Sequence, residues 1–306
     1  MIVLKSLARA WIKRLAFAPS GTAVAAAAGG SGFLLWSELL NGKRAELLTL
    51  PFHEAADLAY TPDGGHLFCS GRSSSGAPLC AVRLATRDVT PFLIPTSNFR
   101  FALAPDSAQV IASEQRLHSG ALAIRSTCWS LHKPDAPAWE VVDNLRFMFR
   151  PFFLSADRFL IVSVRDGKDL CLRTRSASTG ELVSEAVGVS TSPDRVTLSP
   201  DATQLASVSG VFLHVQPVSD PFRARPVARN DNKKHFADFA YHPSGKYLAT
   251  ASNDETIKFF DTTTWEVVRT FTWKTGKMRA VCFSPDGTLA AAGGEKGQVV
   301  VWDVDL

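Results

Sequence analysis

Six of seven positions, spaced 43, 43, 50, 45, 43 and 42 residues apart, carry a charge: Arg14, Asp57, Arg100, Arg150, Arg195 and Asp238, with Ala280 the seventh. Opposite charges brought face to face form ion pairs, and the order along the chain suggests Arg14 with Asp57, Asp57 with Arg100, and Arg195 with Asp238. Arg150 is then the arginine most short of an acidic partner. A buried guanidinium without one is costly. Two readings stay open: a structural ring of ion pairs, or arginines facing an anionic ligand or an acidic side chain of a partner.

A second basic group is PFRARPVARNDNKKH, residues 221–235. Arg223, Arg225, Arg229 and Lys233, with Lys234 beside them, could hold a phosphate-rich partner such as nucleic acid. Phe222 is the only aromatic among them, and such runs are ordinarily solvated loops. Trp11, Trp139, Trp265 and Trp273, none at the repeat's Trp position, form a third set and are expected to be exposed. Tryptophan and arginine are favoured interface anchors.

Chemistry of other kinds finds little support. The seven histidines (His53, His66, His118, His132, His214, His235, His242) show no metal-ligand spacing. GRSSSG at 71–76 lacks the pattern of a nucleophile elbow, and no G-x-x-x-x-G-K phosphate loop exists. The five cysteines are odd in number and form no C-x-x-C pair. They read as buried apolar residues in a reducing compartment, which argues against a disulfide even between Cys69 and Cys80 on neighbouring strands. Net charge is +4, which permits an anionic partner without demanding one. No catalytic residue, cofactor or metal is expected.

What positions these residues is a repeat. An apolar strand, a turn built on Pro with Asp or Ser and often Gly, and a second apolar strand recur: LAFAPSGTAVAA (15–26), LAYTPDGGHLFC (58–69), FALAPDSAQVIA (101–112), PFFLSADRFLIV (151–162), VTLSPDATQLAS (196–207), FAYHPSGKYLAT (239–250) and VCFSPDGTLAAA (281–292). The turn positions are Pro19, Pro62, Pro105, Ser155, Pro200, Pro243 and Pro285. The charged column lies five residues before each of them. A period in the low forties with short strands is the signature of a propeller of four-stranded blades. Residues 278–303 show one unit: Met278 to Ser284, the turn Pro285-Asp286-Gly287, Leu289 to Ala292, a second turn, then Gln298 to Asp303. Fourth strands are expected at 45–50, 89–94, 139–142, 181–186, 225–228 and 266–271. The last unit has none after it. The apolar stretch MIVLKSL, within residues 1–8, is expected to pair beside Val299–Val301 and close the ring, leaving no open edge. Lys5, Arg9, Lys13 and Arg14 before LAFAPSGTAVAAAA superficially resemble a secretory signal. Residues 15–26 align with the other copies, however, so cleavage there would delete part of a blade. No run of 18 apolar residues suggests a membrane span.

These phrases resemble the WD40-repeat family, whose pattern runs F-S-P-D-G-x-x-L-A, a turn with Asp, then a strand ending Trp-Asp. Val301-Trp302-Asp303 matches fully. Trp36 and Trp129 hold the Trp position, Phe260-Asp261 keeps the Asp, and Arg173 and Val215 stand there in the fourth and fifth units. The family's Gly-His is absent from its usual place, since Gly65-His66 falls in a turn between strands. Its Asp-type turn is clear at Asp166 and Asp254. The resemblance covers nearly the whole chain. It implies one all-β domain over 1–306, a seven-bladed β-propeller of four-stranded antiparallel blades, expected to be a cytoplasmic monomer. It implies a non-catalytic scaffold that binds a protein or peptide on one rim, through Trp11, Arg100, Arg150, Arg195, Lys234, His235 and Arg279. The alternatives are an anion- or nucleic-acid-binding propeller using the basic loop, and a propeller hydrolase with a site at the channel mouth. The fourth copy has lost its Pro, and the two longer steps flank it. Any partner-specific insertion is therefore expected in 113–140 or 163–195.

Overall fold

The computed structural model describes residues 1–5, 10–30, 32–39, 45–73, 78–92, 99–118, 121–145, 147–165, 169–189 and 193–305. Asp166 and parts of the GRSSSG loop and of the closing segment lie outside them. The described residues form seven antiparallel sheets, each a chain-consecutive meander, which together make a seven-bladed β-propeller. Blade one holds Ile12–Phe17, Val24–Ala28, Gly32–Trp36 and Glu46–Leu48. Blade two holds Glu54–Tyr60, His66–Arg72, Leu79–Arg83 and Val89–Phe92. Blade three holds Phe99–Leu103, Gln109–His118, Ala121–Ser130 and Trp139–Asp143. Blade four has five strands: Phe147–Met148, Phe152–Phe153, Arg158–Arg165, Asp169–Ser176 and Leu182–Val189. Blade five holds Arg195–Leu198, Gln204–Ser209, Phe212–Pro217 and Arg225–Arg229. Blade six holds Phe236–Tyr241, Tyr247–Ser252, Thr256–Asp261 and Val267–Thr272. Blade seven holds Met278–Phe283, Leu289–Gly294 and Gln298–Asp303.

The fourth strand of blade seven is Ile2–Lys5, the closure expected from the sequence. Ile2 pairs with Val301, Val3 with Val300, Leu4 with Val299 and Lys5 with Gln298. The fold is thus all-β with an N-terminal closing strand. Its one departure from the expected four strands is blade four, where the inner strand is split in two and both halves pair with Arg158–Arg165. Pro151 lies in the gap. It has no N–H to give a ladder.

Side-chain chemistry writes the repeated turn. The hydroxyl before the turn Pro donates to the Asp after it: Thr61 to Asp63 at 2.6 Å, Ser199 to Asp201 at 2.5 Å, Ser284 to Asp286 at 2.6 Å. Each Asp also accepts the backbone N–H two residues on. The residue two after the turn Pro has positive φ in six blades: Gly21, Gly64, Ser107, Ala202, Gly245 and Gly287. Glycine bears that conformation at little steric cost, while Ala202 pays for its Cβ. In blade four the turn is one residue shorter, closed by Leu154 and Ser155 N–H groups on the Arg158 carbonyl.

Register corrects the Trp position. In every blade one inner-strand residue pairs with a second-strand residue, and that one with the aromatic position: Phe17, Val24 and Trp36; Leu103, Val110 and Trp129; Phe283, Ala290 and Trp302. The same rungs reach Val82 in blade two and Gln216 in blade five. In blade four they run Phe153, Phe159 and Arg175. The occupants are therefore Arg175 and Gln216, not Arg173 and Val215. The shortened turn shifted one count and strand-length slack the other.

Apolar packing between neighbouring blades makes the core. At the closing seam Leu4, Ile12, Val24, Leu34, Trp36, Val299 and Val301 pack together. Other seams centre on Phe68, Phe92 and Phe101, and on Phe259, Met278 and Trp302. The seam between blades three and four differs. Its apolar contacts fall into two small groups, around Ile111, Phe159 and Ile161 and around Ile124, Leu145 and Cys171. Between them buried Asp143 takes hydrogen bonds from Arg173 and Arg175.

Candidate functional site

Antiparallel order places every inner strand's start, and every turn between second and third strands, on one rim. The Pro-Asp-Gly turns lie on the opposite rim. At the first rim the channel opens into a cavity of about 900 Å³ walled by inner-strand residues. A β-bulge breaks the inner-strand register between Ile12 and Arg14, Ala55 and Asp57, Phe236 and Asp238, and Met278 and Ala280. Bulges re-aim a side chain and sit beside functional sites. Here each one immediately precedes the charged column. Arg14, Asp57, Arg100, Arg150, Arg195 and Asp238 all line the cavity.

The pairing differs from the sequence expectation. Arg14 does meet Asp57, Nε to Oδ1 at 3.6 Å, and Arg195 meets Asp238 at 3.6 Å. Arg14 also donates from Nη1 to Asp238 at 2.9 Å. It reaches past blade seven, whose small Ala280 leaves the way clear. Arg150 is not the unpartnered arginine. Its Nε donates to the Phe101 carbonyl at 3.0 Å, its Nη2 lies 3.8 Å from Asp57, and its guanidinium sits 5.6 Å from the Phe101 ring centroid. It skips blade three to reach blade two, which neighbour-by-neighbour pairing misses.

Burial opposes ionisation of Asp57, but Arg150, Arg14, the Leu58 N–H and Arg100 outweigh it and hold the carboxyl below its ordinary range. Arg14 is half-buried; desolvation opposes its charge, yet Asp238 and Asp57 raise its pKa. For Arg100 and Arg195 the balance is reversed. Desolvation in the channel, reinforced by neighbouring arginines, lowers both despite the aspartates.

Trp11 stands at the mouth, 45% exposed. Its ring has Lys13 Nζ at 5.5 Å and the Arg279 guanidinium at 5.6 Å from its centroid. The indole lies over Gly29, where a Cβ would fall inside the ring. Lys13 is held by Glu54 at 2.6 Å and the Ala55 carbonyl at 3.1 Å. Arg279 has Glu295 at 4.0 Å, and its buried Nε has no hydrogen-bond partner among the described residues. His235 lines the same cavity, and Lys234 is exposed beside it. The rim residues expected from the sequence thus gather around one opening.

Two expectations are corrected. The other three tryptophans in the exposed set are not exposed. Trp265 is buried at 8%, Trp139 stacks on Phe159 and donates to the Ala177 carbonyl at 2.8 Å, and Trp273 packs 4.6 Å from Trp302. The basic stretch is not one patch. Arg223 sits in a single 3-10 turn paired with Asp220, and Arg225 begins the outer strand of blade five, both on the Pro-Asp-Gly side. Arg229 ends that strand over Phe212, and Lys233 follows on the other rim.

All five cysteines are free thiols, Cys69 and Cys80 included, although they are direct cross-strand partners. Burial pushes the Cys80 thiol up to about 11 and Cys128 to about 12, far from the thiolate a nucleophile needs. Among the described residues no three His, Cys, Asp or Glu side chains are grouped to hold a metal ion. No described helix is long and apolar enough to cross a membrane.

Fold and site define a seven-bladed β-propeller with a charged central channel. Residues 232–261 and 265–303 match the family model described as WD domain, G-beta repeat. The matched segments cover blade six and blade seven. Blades six and seven thus match WD40 repeats, and the same strand order continues around the ring. Propellers of this family typically serve as protein-interaction scaffolds.

Proposed function

We propose that the protein is a non-catalytic scaffold that docks a protein or peptide segment on the rim where the inner strands begin. One observation carries this reading. Trp11 alone among the tryptophans is exposed, and it stands between two cations at the channel mouth. Aromatic and arginine anchors near the centre of a patch supply most of the energy in protein interfaces. Lys234 and His235 border the same opening. Five free cysteines suit a reducing, cytoplasmic setting, and we read residues 1–306 as one domain acting as a monomer. The split of Arg223 and Arg225 from Arg229 and Lys233 removes support from a continuous nucleic-acid surface.

The test is affinity capture with mass spectrometry on wild type, Trp11→Ala and Arg279→Ala. A partner retained by wild type and lost by both variants supports the rim. The same partners on all three proteins would refute it.

A further inference from the structure

We propose that the arginine ring of the channel is a binding site for a phosphate monoester dianion. Four guanidiniums, Arg14, Arg100, Arg150 and Arg195, share two carboxylates, Asp57 and Asp238, in one cavity. However the individual bonds are divided, the ring carries two positive charges more than negative. The mouth does not supply the balance. Lys13 and Arg279 are each faced by a glutamate outside the cavity wall, and exposed Asp194 is engaged by the Gly210 N–H at 2.8 Å.

The surplus is gathered in one cavity, where Arg14, Arg150 and Arg195 each have most of the side chain covered. Desolvation and the neighbouring arginines push the guanidinium pKa down at Arg100 and Arg195, despite Asp57 and Asp238. A cleft lined by an excess of one sign of charge focuses its field and concentrates the counter-ion, so an anion is drawn into the site. A phosphate monoester carries close to two negative charges at neutral pH and offers three strong acceptor oxygens, whereas one carboxylate brings half that charge. Guanidiniums from several blades converge on the cavity, the arrangement that grips phosphate through multiple charge-assisted bonds. At about 900 Å³ the cavity admits the group together with whatever carries it. The carrier is either a free phosphorylated compound or a phosphorylated side chain of a docked partner. The site itself does not depend on the rim docking a protein.

The experiment follows thermal unfolding and calorimetric binding of the full chain with inorganic phosphate and with O-phosphoserine, against sodium chloride of matched ionic strength. Saturable stabilisation beyond chloride is expected. Arg100→Ala and Arg195→Ala should each weaken binding about tenfold or more, as lost bonds to a charged group do. Arg100→Gln and Arg195→Gln serve where the alanine variants do not fold. Arg223→Ala, outside the channel, should bind as wild type. Affinity for phosphoserine should fall as the pH drops below about 6, where the ester takes up its second proton. A phosphoserine peptide that binds far better than both its unphosphorylated form and free phosphoserine assigns the group to a partner. Equal affinity for peptide and free phosphoserine assigns it to a free compound. No stabilisation beyond chloride, or binding unchanged in both arginine variants, overturns the proposal.

Discussion

The closing strand turns one residue's position into a measurable difference. Leu4 and Val3 are neighbours on Ile2–Lys5, but strand alternation sends them to opposite faces. Leu4 is 4% exposed and packs with Val299, Val301 and Ile12 at the seam, while Val3 is 46% exposed. Leu4→Ala removes three carbons from that seam. At about 0.8 kcal/mol per buried carbon the transfer loss is about 2.4 kcal/mol. The cavity left behind adds to it, less whatever an outer strand recovers by moving in, so about 2–4 kcal/mol is expected. Val3→Ala keeps the register and loses little buried surface, so its effect should stay within about 0.5 kcal/mol. Deleting residues 1–5 should cost more than Leu4→Ala, because it also bares the Gln298–Asp303 edge. Urea unfolding followed by tryptophan fluorescence reads all three. Equal losses for Leu4→Ala and Val3→Ala would refute the closure, because only a strand seated in this register separates the two faces.

Ala202→Gly should stabilise by about 0.5–1 kcal/mol, since Ala202 has φ of 57° where four other blades place glycine; a lower denaturation midpoint would count against the turn assignment. Gly29→Ala should dislodge Trp11 from its seat while leaving the charged ring in place, seen as an altered emission maximum and lost partner capture. Asp254 gives a pH signature. Burial opposes its ionisation, but hydrogen bonds from Thr256 and Asn232 outweigh it and hold its pKa at about 2, below the value of about 3.9 in an unfolded chain. Its contribution is therefore complete above about pH 4 and lost as pH falls toward 2, so Asp254→Asn should flatten that part of the acid-unfolding curve. Arg150→Ala should destabilise by about 1–3 kcal/mol, because it strips partners from the Phe101 carbonyl and from buried Asp57; a gain in stability would mean the arginine is held at a net cost.

The ring was legible because its signal is local. A hydroxyl, a Pro, an Asp and a residue with positive φ write the turn within a few positions, and the copies could be counted from it. The fourth strands followed from spacing alone, as Trp139–Asp143 and Val267–Thr272 show. The charged column was legible for the same reason, being a fixed offset from the turn. Its pairing was not. Arg14 reaches across blade seven only because Ala280 is small, and Arg150 crosses to Asp57 over the curvature of the ring. Neither distance is encoded in sequence separation. The Trp position failed in blades two, four and five because Val82, Arg175 and Gln216 carry no aromatic to mark it. The exposure of Trp11 alone among four unplaced tryptophans depends on which turns have room beneath them. Gly29 supplies that room, and a glycine in a turn does not announce what lies over it.

Blade four shows how one irregularity carries into others. Pro151 cannot donate to a ladder, so the inner strand breaks there, and Arg150, the residue before it, is steered toward extended backbone. The break frees Arg150 from its own blade's ladder to bond the Phe101 carbonyl of blade three and face Asp57 of blade two. On the far side of the same sheet Arg175 occupies the aromatic position and turns to Asp143 on the outer strand of blade three. A tryptophan there would bury apolar surface against its neighbour, as Trp36, Trp129 and Trp302 do. Arg175 buries a charge instead, and the pair is not fully satisfied: Asp143 Oδ2 and Arg175 Nε have no hydrogen-bond partner among the described residues. The desolvation cost of a buried ion pair can exceed its attraction, so the pair is weak evidence for added stability. The seam between blades three and four is accordingly set by directed charge contacts between two small apolar groups, where other seams rest on continuous packing. Both departures of blade four, at the channel and at the seam, tie it by arginine to the blades before it.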